Sequence, residues 1–198
     1  EMLSEHALTT IDVVREQLGL DPEDTSQDAL LARMINGASD AIRTYCDRDF
    51  ARAQRRDRFE GSGSPVLLLP LYPVVSVESV SVNGKVVPSD DYDVDAAAGR
   101  IIRRAGLWPL GSGLVVEVVY EGGYITPEQA RNGLGERNLP YDLEEACIAT
   151  VMSWFSRRSM PPDVQSFWVE QIRVNFDTQR EWLPTPVQRI LDRYRRYG

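Results

Sequence analysis

The sequence predicts an α+β protein: an antiparallel helical bundle with a small β-sandwich or barrel-like domain inserted between its second and third helices. Three observations carry this prediction. Apolar residues recur with a helical period before residue 46 and again after residue 142. Between them, short valine-rich runs alternate with turn residues, the spacing of a small all-β domain. Neither helical stripe is satisfied alone, so the helices flanking the β region must bury their stripes against each other. The expected division is 1–52 for the N-terminal helices, 53–125 for the inserted β-domain, and 126–198 for the helices that complete the bundle and a terminal arm.

Thr10 is placed to cap a short helix from Ile11 to about Leu18, with Asp12 in its first turn and Gly19 at its stop. Asp21-Pro22 opens a turn. Thr25 or Ser26 then caps a longer helix from about Gln27 to Cys46. Its apolar positions, Leu30, Leu31, Met34, Ile35, Ala38, Ala41, Ile42 and Tyr45, trace one stripe.

The period then changes. Arg58-Phe59-Glu60 leads into the turn cluster Gly61-Ser62-Gly63-Ser64, and Val66 to Leu69 is a short apolar strand closed by Pro70 and Pro73. From Val75 to Val82 valines fall at 75, 77, 80 and 82, so the alternation slips once around Glu78-Ser79, as at a bulge or bend. Asn83-Gly84 is a strong hairpin signal, returning through Lys85-Val86-Val87. Tyr92-Asp93-Val94 and Arg100 to Arg103 flank a second hairpin at Ala96 to Gly99. Val115 to Tyr120 is a further strand, stopped by Gly122-Gly123.

Leu139 to Asp142 opens a third long helix that runs to about Arg157 and carries Leu143, Ala146, Cys147, Thr150, Val151, Trp154 and Phe155 on one face. Pro161-Pro162 ends it. Residues 163–183 are ambiguous, and Val169 to Phe176 fits a strand or a helix. Thr185-Pro186 reads as a cap with proline at the first helical position. The last helix turns Val187, Ile190, Leu191 and Tyr194 inward and Arg189, Arg193, Arg195 and Arg196 outward.

Composition narrows the function. With 198 residues, 42% of them hydrophobic and 26% charged, the chain is globular in composition, and a chain this long buries roughly 70% of its unfolded surface without staples. No apolar run approaches the roughly 18 residues of a membrane span, so no membrane contact is expected. The N-terminus is polar and acidic, without the look of a signal peptide. Cys46 and Cys147 lie too far apart for a paired-cysteine zinc site and read as small, reduced core residues. A single histidine, His6, argues against a hydrolytic triad and most zinc sites. No metal or other cofactor is expected, and no enzyme activity.

The formal net charge is −8. Residues 1–64 carry 8 basic and 13 acidic groups, residues 65–130 carry 4 and 8, and residues 131–198 carry 10 and 9. No basic face of the kind that grips a duplex is evident. Lys85 is the one lysine among 22 basic residues. Arginine suits bidentate contacts at protein interfaces, although biased codon usage produces the same excess.

Taken in order, these segments resemble the head–tail connector (adaptor) proteins of tailed bacteriophages and related gene-transfer particles. The features that carry the resemblance run nearly the length of the chain. They are Leu8-Thr9-Thr10 before the first helix; Ala38 to Cys46 followed by Arg48-Asp49-Phe50; Gly61-Ser62-Gly63 before Leu67 to Pro70; Tyr72-Pro73-Val74 with Val75 to Val80; Asn83-Gly84; and Tyr92-Asp93-Val94. Trp108-Pro109, then Val116 to Tyr124, then Leu143 to Cys147 complete the set. The resemblance implies a non-catalytic virion protein, made in the host cytoplasm, that forms a homo-oligomeric ring, expected to be twelvefold, under the portal protein. It implies that the ring extends the DNA channel and docks the tail-completion (stopper) protein. DNA would pass without sequence-specific binding, and an acidic balance suits a channel that must not hold phosphates. Simpler members of the family lack so large a β-insert.

Candidate contacts follow. Arg189, Arg193, Arg195 and Arg196 are candidates for gripping the portal or another partner; a solvated helix face complementing the helix's negative end is the plainer alternative. Phe167, Trp168 and Trp182 are subunit-interface candidates, while Trp154 and Phe155 read as core. The run Asp90, Asp91, Asp93 and Asp95 lacks the glycine and distal glutamate of a calcium loop and reads as a solvated hairpin. Gly61-Ser62-Gly63 lacks the Gly-Lys-Ser/Thr of a phosphate loop. Two rival functions remain. One is a β-domain ligand-binding module, for carbohydrate for example, with Trp108 as its platform. The other is a carboxylate glycosidase, which needs two acids about 5–10 Å apart across a cleft.

Overall fold

The computed structural model describes residues 3–158, 166–169, 172–175 and 183–196. The α+β class holds, and the chain divides into two compact units, each described by itself.

The first unit is made of two chain segments, up to Tyr45 and Pro140–Tyr194. Helix α1 (Ile11–Gln17) starts where the Thr10 side chain accepts the Val13 N–H, the cap its sequence signals. Helix α2 (Asp28–Cys46) buries Leu31, Ile35, Ala38 and Ile42 completely, which is the predicted stripe. Asp47 ends it in the left-handed region with φ +49°, a helix stop more often taken by glycine. Helix α4 (Tyr141–Arg158) buries Leu143, Ala146, Cys147, Ile148 and Val151. A Cβ at Gly37 of α2 would lie 3.3 Å from the Trp154 ring, so the bare backbone there gives the indole its seat. Trp154 and Phe155 are half-buried, less deep than the core positions the sequence suggests. Helix α5 (Thr185–Leu191) buries Val187 and Leu191 and runs into one 3₁₀ turn, Asp192–Tyr194. Pro184, extended at ψ 141°, occupies the cap position, so Thr185 is the first helical residue and not the cap. Within the ambiguous stretch, β8 (Ser166–Val169) pairs with β9 (Ile172–Asn175), a strand hairpin where the sequence allowed a helix.

A polar seam runs through this unit's core. Thr9 Oγ1 donates to Glu144 Oε1 at 3.2 Å, Ser39 Oγ donates to the Ile35 carbonyl, and Ser39 Oγ meets Cys147 Sγ at 3.6 Å. Complete burial pushes the Cys147 thiol up to about 12, leaving it inert as a nucleophile.

The second unit spans Cys46–Leu139 with Arg195 and Arg196. Its first sheet has the order β1-β7-β3-β4, with β1 Ala53–Ser62, β3 Val74–Val82, β4 Lys85–Val86 and β7 Leu110–Gly122. Its second has the order β2-β6-β5, with β2 Val66–Leu68, β5 Tyr92–Asp95 and β6 Arg100–Arg103. Every pairing is antiparallel. The inner faces of both sheets enter one buried cluster that includes Leu67, Ile101 and Tyr92 from one sheet and Val80, Val116, Val118 and Tyr120 from the other. The valine slip is a bulge at Glu78, because Val77 and Ser79 pair with the adjacent Tyr120 and Val119. A second shift at Val75 was not visible in the sequence. Asn83 and Gly84 both have positive φ, +49° and +77°, as a two-residue hairpin turn requires, and Val82 pairs with Lys85 across it.

Two elements are new relative to the sequence reading. β1, Ala53–Ser62, runs through Arg58-Phe59-Glu60, which the sequence reads only as the lead into a turn. Helix α3 (Pro127–Arg131) carries a complete capping box: Thr126 accepts the Gln129 N–H and the Gln129 side chain accepts the Thr126 N–H. Gln129 also bonds the backbone of Arg52 through both its amide atoms, tying the exit of the sheet to its entrance.

Candidate assembly surfaces

The C-terminal arginines start from a short helix whose apolar side is buried, which leaves Arg189, Arg193 and Arg195 exposed and Arg196 half-buried. Arg193 donates to Asp142 at 3.1 Å, and the Tyr194 hydroxyl donates to the same carboxylate at 2.6 Å. Arg196 forks onto Asp47 at 2.7 and 3.1 Å while its N–H donates to the Cys46 carbonyl. Arg193 and Arg196 therefore already hold acids of their own chain. The pairing acids, Asp47 and Asp142, lie about 150 and 50 residues away in sequence, where no local signal points to them. Phe167 and Trp168 lie in β8, and nothing is described of their side chains; Trp182 lies outside the described residues.

The acidic run sorts itself differently. Asp93 accepts two bonds from Arg104, at 2.7 and 3.0 Å, and this contact holds the Asp93 carboxyl below its usual range. Asp95 accepts the Ala98 N–H in the β5–β6 turn. Among the described residues, no group of three His, Cys, Asp or Glu side chains is placed to hold a metal ion.

Trp108 is completely buried, its indole N–H donating to the Ile101 carbonyl at 3.3 Å and Arg103 lying over the ring. It is a core residue and cannot be the exposed ligand platform. Exposed apolar side chains of this unit include its sequence neighbours Leu107 and Leu110, together with Val75, Val86, Val94 and Leu134.

Sequence reasoning passed over Arg48. It is 6% exposed, its guanidinium stacks 3.3 Å over Tyr72 and 4.8 Å from Phe50, and it donates to the Tyr72 carbonyl. Burial lowers its pKa. The aromatic faces take the place of a counter-ion, and the nearby Arg-Asp-Phe word was its only sequence trace. On β1 the exposed positions are Gln54, Arg56, Arg58 and Glu60, an alternation that was available in the sequence. Arg58 and Arg56 reach Glu117 across the pair, at 3.1 and 3.9 Å.

The chain matches the head completion protein family over residues 7–197. It belongs to that family. The resemblance to head–tail connectors of phage-like particles, read from the sequence, is borne out by this membership. Two of the solved chains that share its fold come from gene transfer agent particles. One comes from the virion of a native gene transfer agent particle, at 18% identity and TM-score 0.64. The other comes from the neck of an empty gene transfer agent particle, at 19% identity and TM-score 0.63. Each alignment covers 100% of this chain and 94% of that one. No curated protein matches in sequence.

Proposed function

We propose that this head completion protein is a non-catalytic virion component of the head–tail connector region, forming a twelvefold ring beneath the portal. The ring extends the DNA channel and docks the tail-completion (stopper) protein. The observation that carries this reading is the family match across residues 7–197, supported by the fold shared with chains of gene transfer agent virion and neck. In this reading segments 1–52 and 126–198 form the helical bundle, with 53–125 as its β-insert. Arg189, Arg193, Arg195 and Arg196 contact the portal, and Phe167, Trp168 and Trp182 lie between subunits. The net charge of −8 favours a channel wall on which DNA slides without sequence-specific binding.

The test is mass photometry of the purified chain with and without portal from the same particle. Portal-dependent appearance of a complex with twelve copies is the expected result. A chain that stays monomeric and ignores its portal would overturn the reading.

A further inference from the structure

β1 and β5 are each an outermost strand of their sheet, with β4 and the three-residue β2 at the other margins. Ala53–Glu60 pairs with β7 in unbroken register, and among the described residues no strand covers the opposite rim. β5 pairs with β6 alone. The remaining margin of the first sheet is a poor template, because β4 is two residues long and β3 carries two register shifts. The rims of β1 and β5 lie on opposite flanks of the unit. Only Val87, Pro88 and the turn Ser89–Asp91 separate β4 from β5, and one cleft of about 370 Å3 is lined by Lys85 and Val86 together with Asp91 and Arg103. Only Gly63 to Pro65 separates β1 from β2 on the other flank.

The rims are complementary in charge and period, with Arg56 and Arg58 shared with Glu117 and Asp93 shared with Arg104 within the chain. Arg56 and Arg58 stand two residues apart on the solvent face of β1, their side chains 69% and 72% exposed. Asp93 and Asp95 stand two residues apart on β5. The segment Ser89–Asp95 holds four acids and no base. Val94, between those acids, is 39% exposed, an apolar side chain at the open margin of the core.

We propose that β1 of one copy adds to β5 of the next copy as an antiparallel strand, with Arg56 opposite Asp95 and Arg58 opposite Asp93. This register also sets Phe59 opposite Tyr92 on the core-facing side and Asp57, held by Tyr120 and Arg55 of its own chain, opposite Val94. Because the two rims differ and sit on opposite flanks, the contact is heterologous, the kind that generates closed rings. The inference rests on the ring reading above and names the surface that builds the ring.

The test uses the full-length chain carrying Arg56→Cys and Asp95→Cys together, mixed with portal and a mild oxidant. Residues directly opposite in an antiparallel pair have Cα atoms roughly 4.5–5.5 Å apart, within disulfide reach. A ladder of dimers, trimers and higher covalent species on a non-reducing gel is expected, and none from a chain carrying only one of the two substitutions, since Cys46 and Cys147 are buried. A second arm reverses charge: Arg56→Glu with Arg58→Glu, or Asp93→Arg with Asp95→Arg, prevents ring formation, while all four together restore it. Folding of each variant is checked by circular dichroism. Rings that form without the ladder and ignore the charge reversals would overturn this interface and leave the ring reading standing. Failure of the unaltered chain to assemble on its portal, with no ladder, would overturn both.

Discussion

Tyr120 joins three parts of the β-unit through one hydroxyl. It donates to Asp57 on β1 at 2.8 Å and accepts the Leu71 N–H at 3.3 Å, while its ring is 1% exposed. Burial, followed by the bond to Asp57 and that carboxylate's charge, raises its pKa well above 10.0. The fold therefore favours the neutral phenol. Its contribution to stability is complete below the unfolded value near 10 and is lost as pH climbs from there toward the raised folded value. Urea titrations across this range are expected to show stability falling above pH 10. Tyr120→Phe removes both bonds and leaves the Leu71 N–H unpaired, at a cost of about 1–3 kcal/mol near neutrality, and the alkaline decline becomes shallower. Nothing near Tyr120 in sequence foretells this. A tyrosine in an alternating strand reads as core, and its partners come from 49 and 63 residues away.

At the scale of elements, the periodic segments were legible and the aperiodic ones were not. The α2 stripe, the Asn83-Gly84 turn and the bulge at Glu78 follow from rules of spacing that act within a few residues. β1 was not read as a strand because its Gln-Arg-Arg-Asp-Arg run has charges on both faces, and the inward ones are tolerated through pairs such as Arg55 with Asp49 and Asp57. α3 has a full signature in Thr126-Pro127-Glu128-Gln129, yet five residues are too few for a period to show. Gly122-Gly123 was read simply as a stop. In the structure it is a close crossing. Gly123 has φ +89°, and a Cβ there would lie 2.7 Å from the carbonyl oxygens of both Phe50 and Ala51. Tyr124 N–H donates to Phe50, and Arg52 N–H donates back to Tyr124, across that gap. Gly123→Ala is accordingly expected to destabilise by more than the ~1 kcal/mol of an ordinary glycine replacement. A thermal melt that Gly123→Ala leaves unmoved would contradict the crossing.

For the whole molecule, the family was readable because many weak local words stood in one order, whereas the contacts were not, because they depend on surfaces brought together by folding. The arginine cluster shows the difference. Replacing Arg189, Arg193, Arg195 and Arg196 by serine removes ion pairs to Asp47 and Asp142 that each have one exposed partner, each worth about 0–1 kcal/mol, so the melting temperature should move little. On the proposed reading the same four changes weaken portal binding by about tenfold or more, equivalent to about 1.4 kcal/mol or more. Calorimetry and a portal titration on one preparation separate the two effects. A large loss of stability with portal affinity intact would assign these arginines to the fold.

The Asn83-Gly84 hairpin carries the one lysine of the chain, Lys85, exposed at the first position of a two-residue strand. Side-chain amine chemistry thus has a single address. A fluorophore or biotin coupled there marks one end of the β-unit and leaves both of its open rims unmodified. A lysine-specific protease that cut there would part the chain into two pieces still held together by the pairing of β3 with β7 and of β2 with β6. Such a nicked particle component would migrate as two bands on a denaturing gel and as one body in solution.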